Sequence, residues 1–226
     1  FLGSLRVTLL LALLVVPAQI ALGLLLAVLL TKGLRGTGLL RALLIIPWAS
    51  SPLALGVVWS WIFAPDGGPP AGPAGASTGV LASPTWALPA VALVVIWTGA
   101  GHTSLLLAAG LASIPRELVE AARLDGATAR QIFWSIEAPL LRPTLLLVAT
   151  AALIAVLNTF DQVYALTRGG PDRATGVLAY TIYERAFVNW NMGEAAVMAL
   201  VMTVMLLLVT GAQRLCLRGM SAHESD

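Results

Sequence analysis

Residues 120–139 read EAARLDGATARQIFWSIEAP and form a polar, charged stretch between two long apolar segments. The chain around them is 58% hydrophobic and 11% charged, whereas soluble domains have roughly 45–50% apolar and about 25% charged residues. This composition is typical of a membrane protein. The stretch is therefore predicted to lie in water at one face of the bilayer, where another protein can bind it.

Five segments are long, apolar and nearly free of charge. About twenty helical residues cross the roughly 30 Å of a bilayer's hydrocarbon. We therefore expect an all-α protein in which the whole chain, 1–226, is one transmembrane helical bundle of five spans. The predicted spans are 8–30, 43–63, 88–111, 144–160 and 195–209, the last two with a few flanking residues.

The distribution of Arg and Lys predicts the orientation, because these residues favour cytoplasmic loops. In a five-span zigzag, nine of them fall on the side of the polar stretch and four on the other. This places residues 113–139 and the C-terminus in the cytoplasm, and the loops 65–85 and 166–194 outside. The start of the chain then lies outside as well, which favours a sixth span, entering from the cytoplasm, before Phe1; a five-span protein is the alternative.

The polar stretch is predicted to form two short helices joined by a turn. Pro115 is favoured in a first helical turn, and Ser113 just upstream is a possible cap. Asp125-Gly126 supplies the turn, because Gly readily takes positive φ. A second polar helix is expected over Thr128 to Ser135.

Glu120 has two interpretations. On a solvated loop helix it would pair with Arg116 and Arg123, each pair contributing about 0.2–0.5 kcal/mol. That account leaves Ala121 and Ala122 unexplained, since these small side chains let another backbone approach closely. The combination with a fixed turn favours a small element that docks into a partner.

The spacing of the polar stretch resembles the EAA loop of binding-protein-dependent ABC importer permeases. That pattern is EAA, three residues, G, nine residues, I, any residue, LP, and Ala138 stands where the family usually has Leu. The resemblance implies the ABC importer permease fold in a prokaryotic cell membrane, with a coupling helix that sits in a cleft of a cytoplasmic ATPase subunit. The docking residues that it implies are Glu120, Ala121, Ala122, Asp125 and Gly126.

A second resemblance concerns residues 160–187. Phe160-Asp161, Leu166-Thr167 and Gly169-Gly170-Pro171 are similar to carbohydrate-uptake permeases of the maltose and glycerol-phosphate type, in the subunit with the LTxGGP signature. This implies import of a sugar or sugar-like solute by alternating access. The implied partners are a second, different permease subunit, two copies of the ATPase and an external solute-binding protein.

The chain contains no recognisable means of handling ATP. A GxxxxGK[ST] phosphate-binding loop needs a Lys, and Lys32, the one lysine, lacks the preceding glycines. No predicted span carries an ionisable group near its middle, which counts against ion coupling. ATP and Mg²⁺ are therefore expected on the partner ATPase, and the chain is expected to be no enzyme, to hold no cofactor and to bind no nucleic acid. Its two His residues make no metal-ligand set.

Small and polar residues within spans are candidates for the substrate path, because they line cavities or hold helices together. Sugars need hydroxyl partners and aromatic faces. Packing is the competing interpretation for each residue. The candidates are Trp97, Thr98, Gly99 and His102 before the polar stretch, and Asn158, Thr159 and Tyr164 after it.

Three further expectations concern the membrane segments and their ends. Kinks are expected at Pro17, Pro47 and Pro52. An amphipathic outer helix is expected over 176–187, where a binding protein can touch. Five tryptophans are predicted to anchor span ends at the interface: Trp48, Trp59, Trp61, Trp86 and Trp190.

Two alternatives remain open at this point. The first is an ABC permease for a non-sugar solute such as an amino acid, phosphate or polyamine. The second is a membrane scaffold that transports nothing and anchors a cytoplasmic partner. The polar residues Asn158, Thr159 and His102 favour transport, because a scaffold needs no wet path.

Overall fold

The computed structural model describes residues 1–31, 37–64 and 79–223. Most of the predicted loop 65–85, Lys32 and Arg35 of the basic connection, and the last three residues lie outside the described residues. Within the described ranges the chain is built from helices and turns, with no strand. The helices are α1 (Leu2–Thr31), α2 (Thr37–Ala49), α3 (Pro52–Ile62), α4 (Ala87–Ala112), α5 (Arg116–Leu124), α6 (Ala129–Ile132), α7 (Ala138–Leu140), α8 (Arg142–Leu157), α9 (Asp161–Leu166), α10 (Leu178–Tyr183) and α11 (Met192–His223).

Three helices, α1, α4 and α11, are each long and apolar enough to cross a membrane. Two bent pairs meet the same test, α2 with α3 and the segment 129–140 with α8. The five predicted spans are therefore found if each bent pair counts as one span. α1 runs unbroken through Pro17, and Pro47 lies inside α2.

The second predicted span is not one helix, because α2 and α3 meet at a bend of 96°. Ser50 and Ser51 separate the two helices, and Pro52 begins α3. Pro lacks the N–H that a continuing helix would use, and it pushes the preceding residue out of the helical region. Ser51 accordingly has ψ of 123°, and its Oγ accepts a hydrogen bond from the N–H of Ala54. Pro52 thus marks a break, a larger change than the predicted kink.

α1 and α4 pack along each other through small residues. A methyl group on Gly23 would collide with the Thr103 side chain, and one on Gly101 would collide with the carbonyl oxygen of Leu44 in α2. Glycines at such positions let helix backbones approach closely in a membrane.

Two clusters of buried side chains fill the interior, one around Leu11, Val15, Val91, Val94, Val156 and Val163, the other around Ala27, Leu30, Leu107, Leu141 and Val148.

The predicted outer helix over 176–187 is present as α10 followed by a π-helical turn, Glu184–Val188. It packs against the first turns of α1, where Thr8 Oγ1 accepts a hydrogen bond of 2.8 Å from the N–H of Leu178. An aromatic cluster ties it to α9. Its members are Phe160, Tyr164, Tyr180, Tyr183 and Phe187.

Candidate functional site: a cavity and an exposed helix

A cavity of about 390 Å³ opens beside the break between α2 and α3. Its walls come from α1, α4, α8 and the start of α9. Unpaired backbone groups are costly inside a membrane unless they are buried in protein or face a wet cavity, so a broken helix belongs beside such a space. The polar side chains that line it are Gln19, Trp48, Ser50, Thr98, His102, Thr103, Asn158, Thr159, Asp161 and Gln162.

The structure brings together five of the seven residues predicted for the substrate path. Thr98, Gly99 and His102 come from one wall, and Asn158 and Thr159 from the end of α8. Trp97 and Tyr164 are not among the lining residues. The Trp97 ring instead packs edge-on against Trp59, with ring centroids 5.5 Å apart, and Tyr164 lies in the aromatic cluster.

Two of the threonine hydroxyls at this cavity already have partners in their own helices. Thr98 Oγ1 donates to the carbonyls of Val94 and Val95, and Thr159 Oγ1 donates to that of Ala155. Such bonds use the hydroxyl proton but leave oxygen lone pairs for a guest. These hydroxyls are therefore acceptors towards the cavity.

Two side-chain amides are fixed in the same wall. Asn158 Nδ2 donates to the carbonyl of Ile154 over 2.8 Å, and Gln19 Nε2 donates to Thr103 Oγ1 over 2.8 Å. Gln19 lies directly over Gly99, where any Cβ would collide with the amide. Each amide keeps an oxygen with acceptor capacity. The role of Gly99 visible here is to make room for Gln19.

Six polar lining residues were missed by the sequence reasoning: Gln19, Trp48, Ser50, Thr103, Asp161 and Gln162. Trp48 was predicted to be an interface anchor, but its ring stacks on His102 with centroids 4.6 Å apart and an interplanar angle of 6°. The signal that was available is the serine pair before Pro52, two residues after Trp48, because a helix break in a membrane places its flanking side chains beside a cavity.

At the opposite end of α4 the chain enters α5, the helix that carries Glu120, Ala121 and Ala122. None of the residues of α5 is buried, and Leu124 is 90% exposed. The residue before α5 is Pro115, which makes no side-chain cap. Ser113, predicted as a possible cap, belongs to the end of α4 instead, and its hydroxyl donates to the carbonyl of Gly110.

The end of α5 is a Schellman motif. The N–H of Ala127 donates to the carbonyl of Ala122, and the N–H of Gly126 donates to that of Arg123. Gly126 has φ of +81°, as predicted for this turn, and no atom lies within 4 Å of the place where its Cβ would stand. The turn therefore requires Gly for its backbone conformation and not for space.

The second predicted helix, over Thr128 to Ser135, is shorter than expected. Thr128 and Gln131 form a capping box that starts α6, and α6 ends at Ile132. Residues Phe133–Glu137 then form a π-helical turn. Nothing in the sequence pattern distinguishes this turn from a continued α-helix.

Glu120 lines an open cleft between α5 and the neighbouring ends of α1, α2 and α4, together with Arg116 and Arg123. Within the described part of the chain, the ion pairs closer than 4.0 Å are Arg173–Glu184 and Arg185–Glu194. Glu120 is therefore paired with neither Arg116 nor Arg123, contrary to the loop-helix interpretation. Its carboxylate remains accessible to a partner.

The sequence matches one protein family, described as the binding-protein-dependent transport system inner membrane component, over residues 19–222. The chain is 34% identical over 218 residues to the sn-glycerol-3-phosphate transport system permease protein UgpA of Agrobacterium fabrum, covering 94% of this chain and 74% of the relative. It is also 34% identical to the multiple sugar-binding transport system permease protein MsmF of Streptococcus mutans, with the same coverage.

Among solved structures, the fold matches a chain of a bacterial alginate ABC transporter in complex with an alginate pentasaccharide-bound periplasmic protein. The TM-score is 0.83 at 21% identity, and the match covers 94% of this chain and 76% of that one. At this identity the likeness concerns the fold alone.

Proposed function

Because the chain belongs to the family of inner membrane components of binding-protein-dependent transport systems, a family of membrane transport subunits, we propose that it is the permease subunit of an ATP-driven importer for a sugar or sugar-like solute. The long apolar helices of the chain agree with a location in the membrane. The proposal goes further than the family in naming the solute, the direction of transport and the role of each site.

One observation carries the proposal: a single helix joins the two candidate sites. The middle of α4 lines the cavity through Thr98 and His102, and its last residue is followed within four residues by α5. α8 repeats the arrangement, since Asn158 at its end lines the cavity and its beginning follows α7. A displacement of α5 by a partner is thereby transmitted to two walls of the cavity.

The exposed surface of α5 supports docking of an ATPase subunit. A helix with no buried residue, an accessible Glu120 and exposed Leu118 and Leu124 gains little from its own bundle. In this proposal Glu120, Ala121, Ala122, Asp125 and Gly126 form the docking element. Two ATPase copies bind ATP and Mg²⁺, and this chain supplies neither nucleotide binding nor catalysis.

The orientation proposed is cytoplasmic for α5 and the C-terminus. It rests on the nine-to-four distribution of basic residues. The loop 166–194 then faces outward, where a solute-binding protein delivers its cargo, and a second permease subunit completes the cavity. Shifting such a two-state assembly from about 1:99 to 99:1 requires roughly 5.5 kcal/mol of differential stabilisation, which ATP binding supplies through the docked helix.

The sugar assignment is supported by the names of two relatives, which specify sn-glycerol-3-phosphate transport and multiple sugar-binding transport. The cavity agrees with it, because amide oxygens, hydroxyls and an aromatic ring surround a small space. A pocket for an amino acid would need a partner for both an ammonium and a carboxylate group.

The deciding experiment is site-specific cross-linking in the assembled transporter. Cys216 is the one cysteine of the chain, so a Cys216→Ser background accepts a new cysteine at Glu120. We expect Glu120→Cys to cross-link to the ATPase subunit. We also expect the assembled transporter to take up a saccharide in an ATP-driven manner when the proteoliposomes are loaded with ATP. Val80→Cys, placed before the start of α4 and hence at the other end of that helix, is the matched control and should not cross-link. Absence of cross-linking at Glu120 in every nucleotide state would contradict the proposal, and uptake restricted to amino acids would refute the sugar assignment.

A further inference from the structure

The described cavity wall contains an acidic side chain but no Arg or Lys side chain. Among the described lining residues there is one carboxylate, that of Asp161, and no guanidinium or ammonium group. In the described part of the chain Asp161 has no ion-pair partner within 4.0 Å. In the part of the wall that the structure describes, no Arg or Lys side chain therefore compensates the negative charge of Asp161, and His102 makes no ion pair with it within 4.0 Å.

Several other polar groups in this wall offer hydrogen-bond acceptors to a guest. Gln19 and Asn158 each use one amide N–H, towards Thr103 and the Ile154 carbonyl, which leaves the second N–H and the amide oxygen of each. The hydroxyl protons of Thr98 and Thr159 are likewise used within their helices. A polyhydroxyl compound fits such a wall, because each of its hydroxyl groups both donates to these acceptors and accepts from the remaining N–H groups.

The stacked rings of Trp48 and His102 add an apolar surface to the same space. An aromatic face suits the C–H side of a sugar ring, while hydroxyls at the ring edge reach Asp161. Hydrogen bonds to a charged carboxylate are about twice as strong as neutral ones. An uncharged sugar thus gains binding free energy from its hydrogen bonds to Asp161.

A phosphate or uronate group is expected to bind less favourably beside Asp161. It brings a negative charge to a wall that already holds the carboxylate of Asp161, and two like charges in a partly desolvated site repel strongly. The amino end of α3 begins at Pro52 beside the cavity and contributes a partial positive charge of about half a unit. That partial charge is smaller than the full charge of Asp161.

We propose that Asp161 makes this cavity selective for uncharged polyhydroxyl solutes over phosphorylated or uronic-acid solutes of the same size. The inference rests on the proposed function, because it names the class of solute that the permease carries. It separates this chain from proteins of related sequence or fold whose names specify sn-glycerol-3-phosphate or the acidic polysaccharide alginate.

The test measures binding to the purified pair of permease subunits in nanodiscs, without the binding protein, by saturation-transfer NMR. The probes are matched pairs: mannopentaose with the mannuronate pentasaccharide, and glycerol with sn-glycerol-3-phosphate. We expect the uncharged member of each pair to bind at least about tenfold more tightly, a difference of about 1.4 kcal/mol. In Asp161→Asn this ratio should fall below about threefold, because acidic probes gain affinity while uncharged probes lose the charge-assisted bond.

Asp172→Asn is the matched control. It removes the same charge in the outer loop, where Asp172 has φ of +47°, a conformation that Asn tolerates, and Asp172 is not among the residues lining this cavity. The tenfold ratio should persist in this variant. The inference is overturned if wild type binds acidic probes as tightly as uncharged ones, if no uncharged probe binds, or if Asp161→Asn leaves the ratio unchanged.

Uptake by the complete transporter separates this inference from the proposed function. ATP-driven uptake of an acidic saccharide at the rate of its uncharged counterpart would refute the role of Asp161 and leave the sugar importer standing. No ATP-driven uptake of any saccharide, with ATPase and binding protein present, would refute the importer itself.

Discussion

Nε2 of Gln19 in α1 donates a hydrogen bond to Oγ1 of Thr103 in α4 over 2.8 Å, and both side chains are buried. The pair lies in the wall of the cavity, at the place where Gly99 and Gly23 let the two helices approach. A buried polar group that loses its partner costs free energy, so the two residues should act together.

A double-mutant cycle should detect this bond. The single changes are Gln19→Leu and Thr103→Val, and we expect a coupling free energy of about 0.6–1.7 kcal/mol, from the average to the largest value for hydrogen bonds between membrane helices. The measurement is unfolding by sodium dodecyl sulfate from bicelles. Thr98→Val is the control partner, because the Thr98 hydroxyl bonds carbonyls of its own helix, and its coupling to Gln19→Leu should be near zero. Equal coupling for both threonines would contradict the assignment.

Gly101→Ala should destabilise the bundle by about 1–3 kcal/mol, because the new methyl group would collide with the Leu44 carbonyl oxygen, a backbone atom that cannot turn away. The free energy of unfolding reports the effect. Gly211→Ala in α11 is the matched control. No atom lies within 4 Å of its added Cβ, so the gain in helix propensity should leave stability unchanged or raise it by up to about 1 kcal/mol. Similar losses at both positions would argue against the close approach of α2 and α4.

Gly126→Val should abolish coupling between the ATPase and transport. Its φ of +81° costs a side-chain-bearing residue about 1–2 kcal/mol, more for a β-branched one, so the Schellman turn should rearrange and redirect α5. We expect at least a tenfold loss of uptake, together with loss of ATPase association or with hydrolysis that no longer drives transport. Gly126→Asn, which tolerates positive φ, should keep at least about half of the uptake. Normal uptake in the Val variant would count against the role given to this turn.

Leu124→Ser should weaken ATPase binding without changing the stability of the isolated subunit. The side chain is 90% exposed, so folding gains little from it, whereas burying a Leu at an interface is worth about 1.5–3 kcal/mol. We expect about a tenfold loss of affinity in surface plasmon resonance and a free energy of unfolding within about 0.5 kcal/mol of wild type. Val80→Ser, an exposed apolar residue before the start of α4, serves as control and should bind normally. Unchanged affinity for Leu124→Ser would show that α5 docks through another face.

The long spans were predictable because apolar length alone determines them. Segments 8–30, 88–111 and 195–209 correspond to α1, α4 and α11, since twenty apolar residues have one stable structure in a bilayer. The family resemblance, drawn from the spacing between Glu120 and Pro139, is confirmed by the family match.

The broken second span and the π-helical turns were not predictable to the same degree. Pro52 indicates that the helix is interrupted, but the angle of the bend, 96°, depends on what α3 packs against. In the structure Gly56 lets α3 pack closely against Ala165 of α9. A π-helical turn shifts the hydrogen-bond register by one residue, which leaves no mark on the apolar pattern.

The sequence predicted cavity-lining residues on two walls only, those formed by α4 and by the end of α8. Polar residues inside a span, such as Thr98 and Asn158, stand out in a sequence. Gln19 is polar as well, but it lies in the span farthest along the chain from the motifs, and the stacking of Trp48 on His102 joins positions 54 residues apart. The roles of the docking and substrate-path residues stay predictions until the experiments above are done.

The lack of buried residues in α5 has an evolutionary consequence. If α5 docks as proposed, its positions can change in step with the receiving surface at little cost to the packing of the spans, because none of them is buried. Selection at these positions would then act mainly on recognition. Paralogous importers within one cell could diverge in the ATPase they recruit while keeping the same membrane architecture.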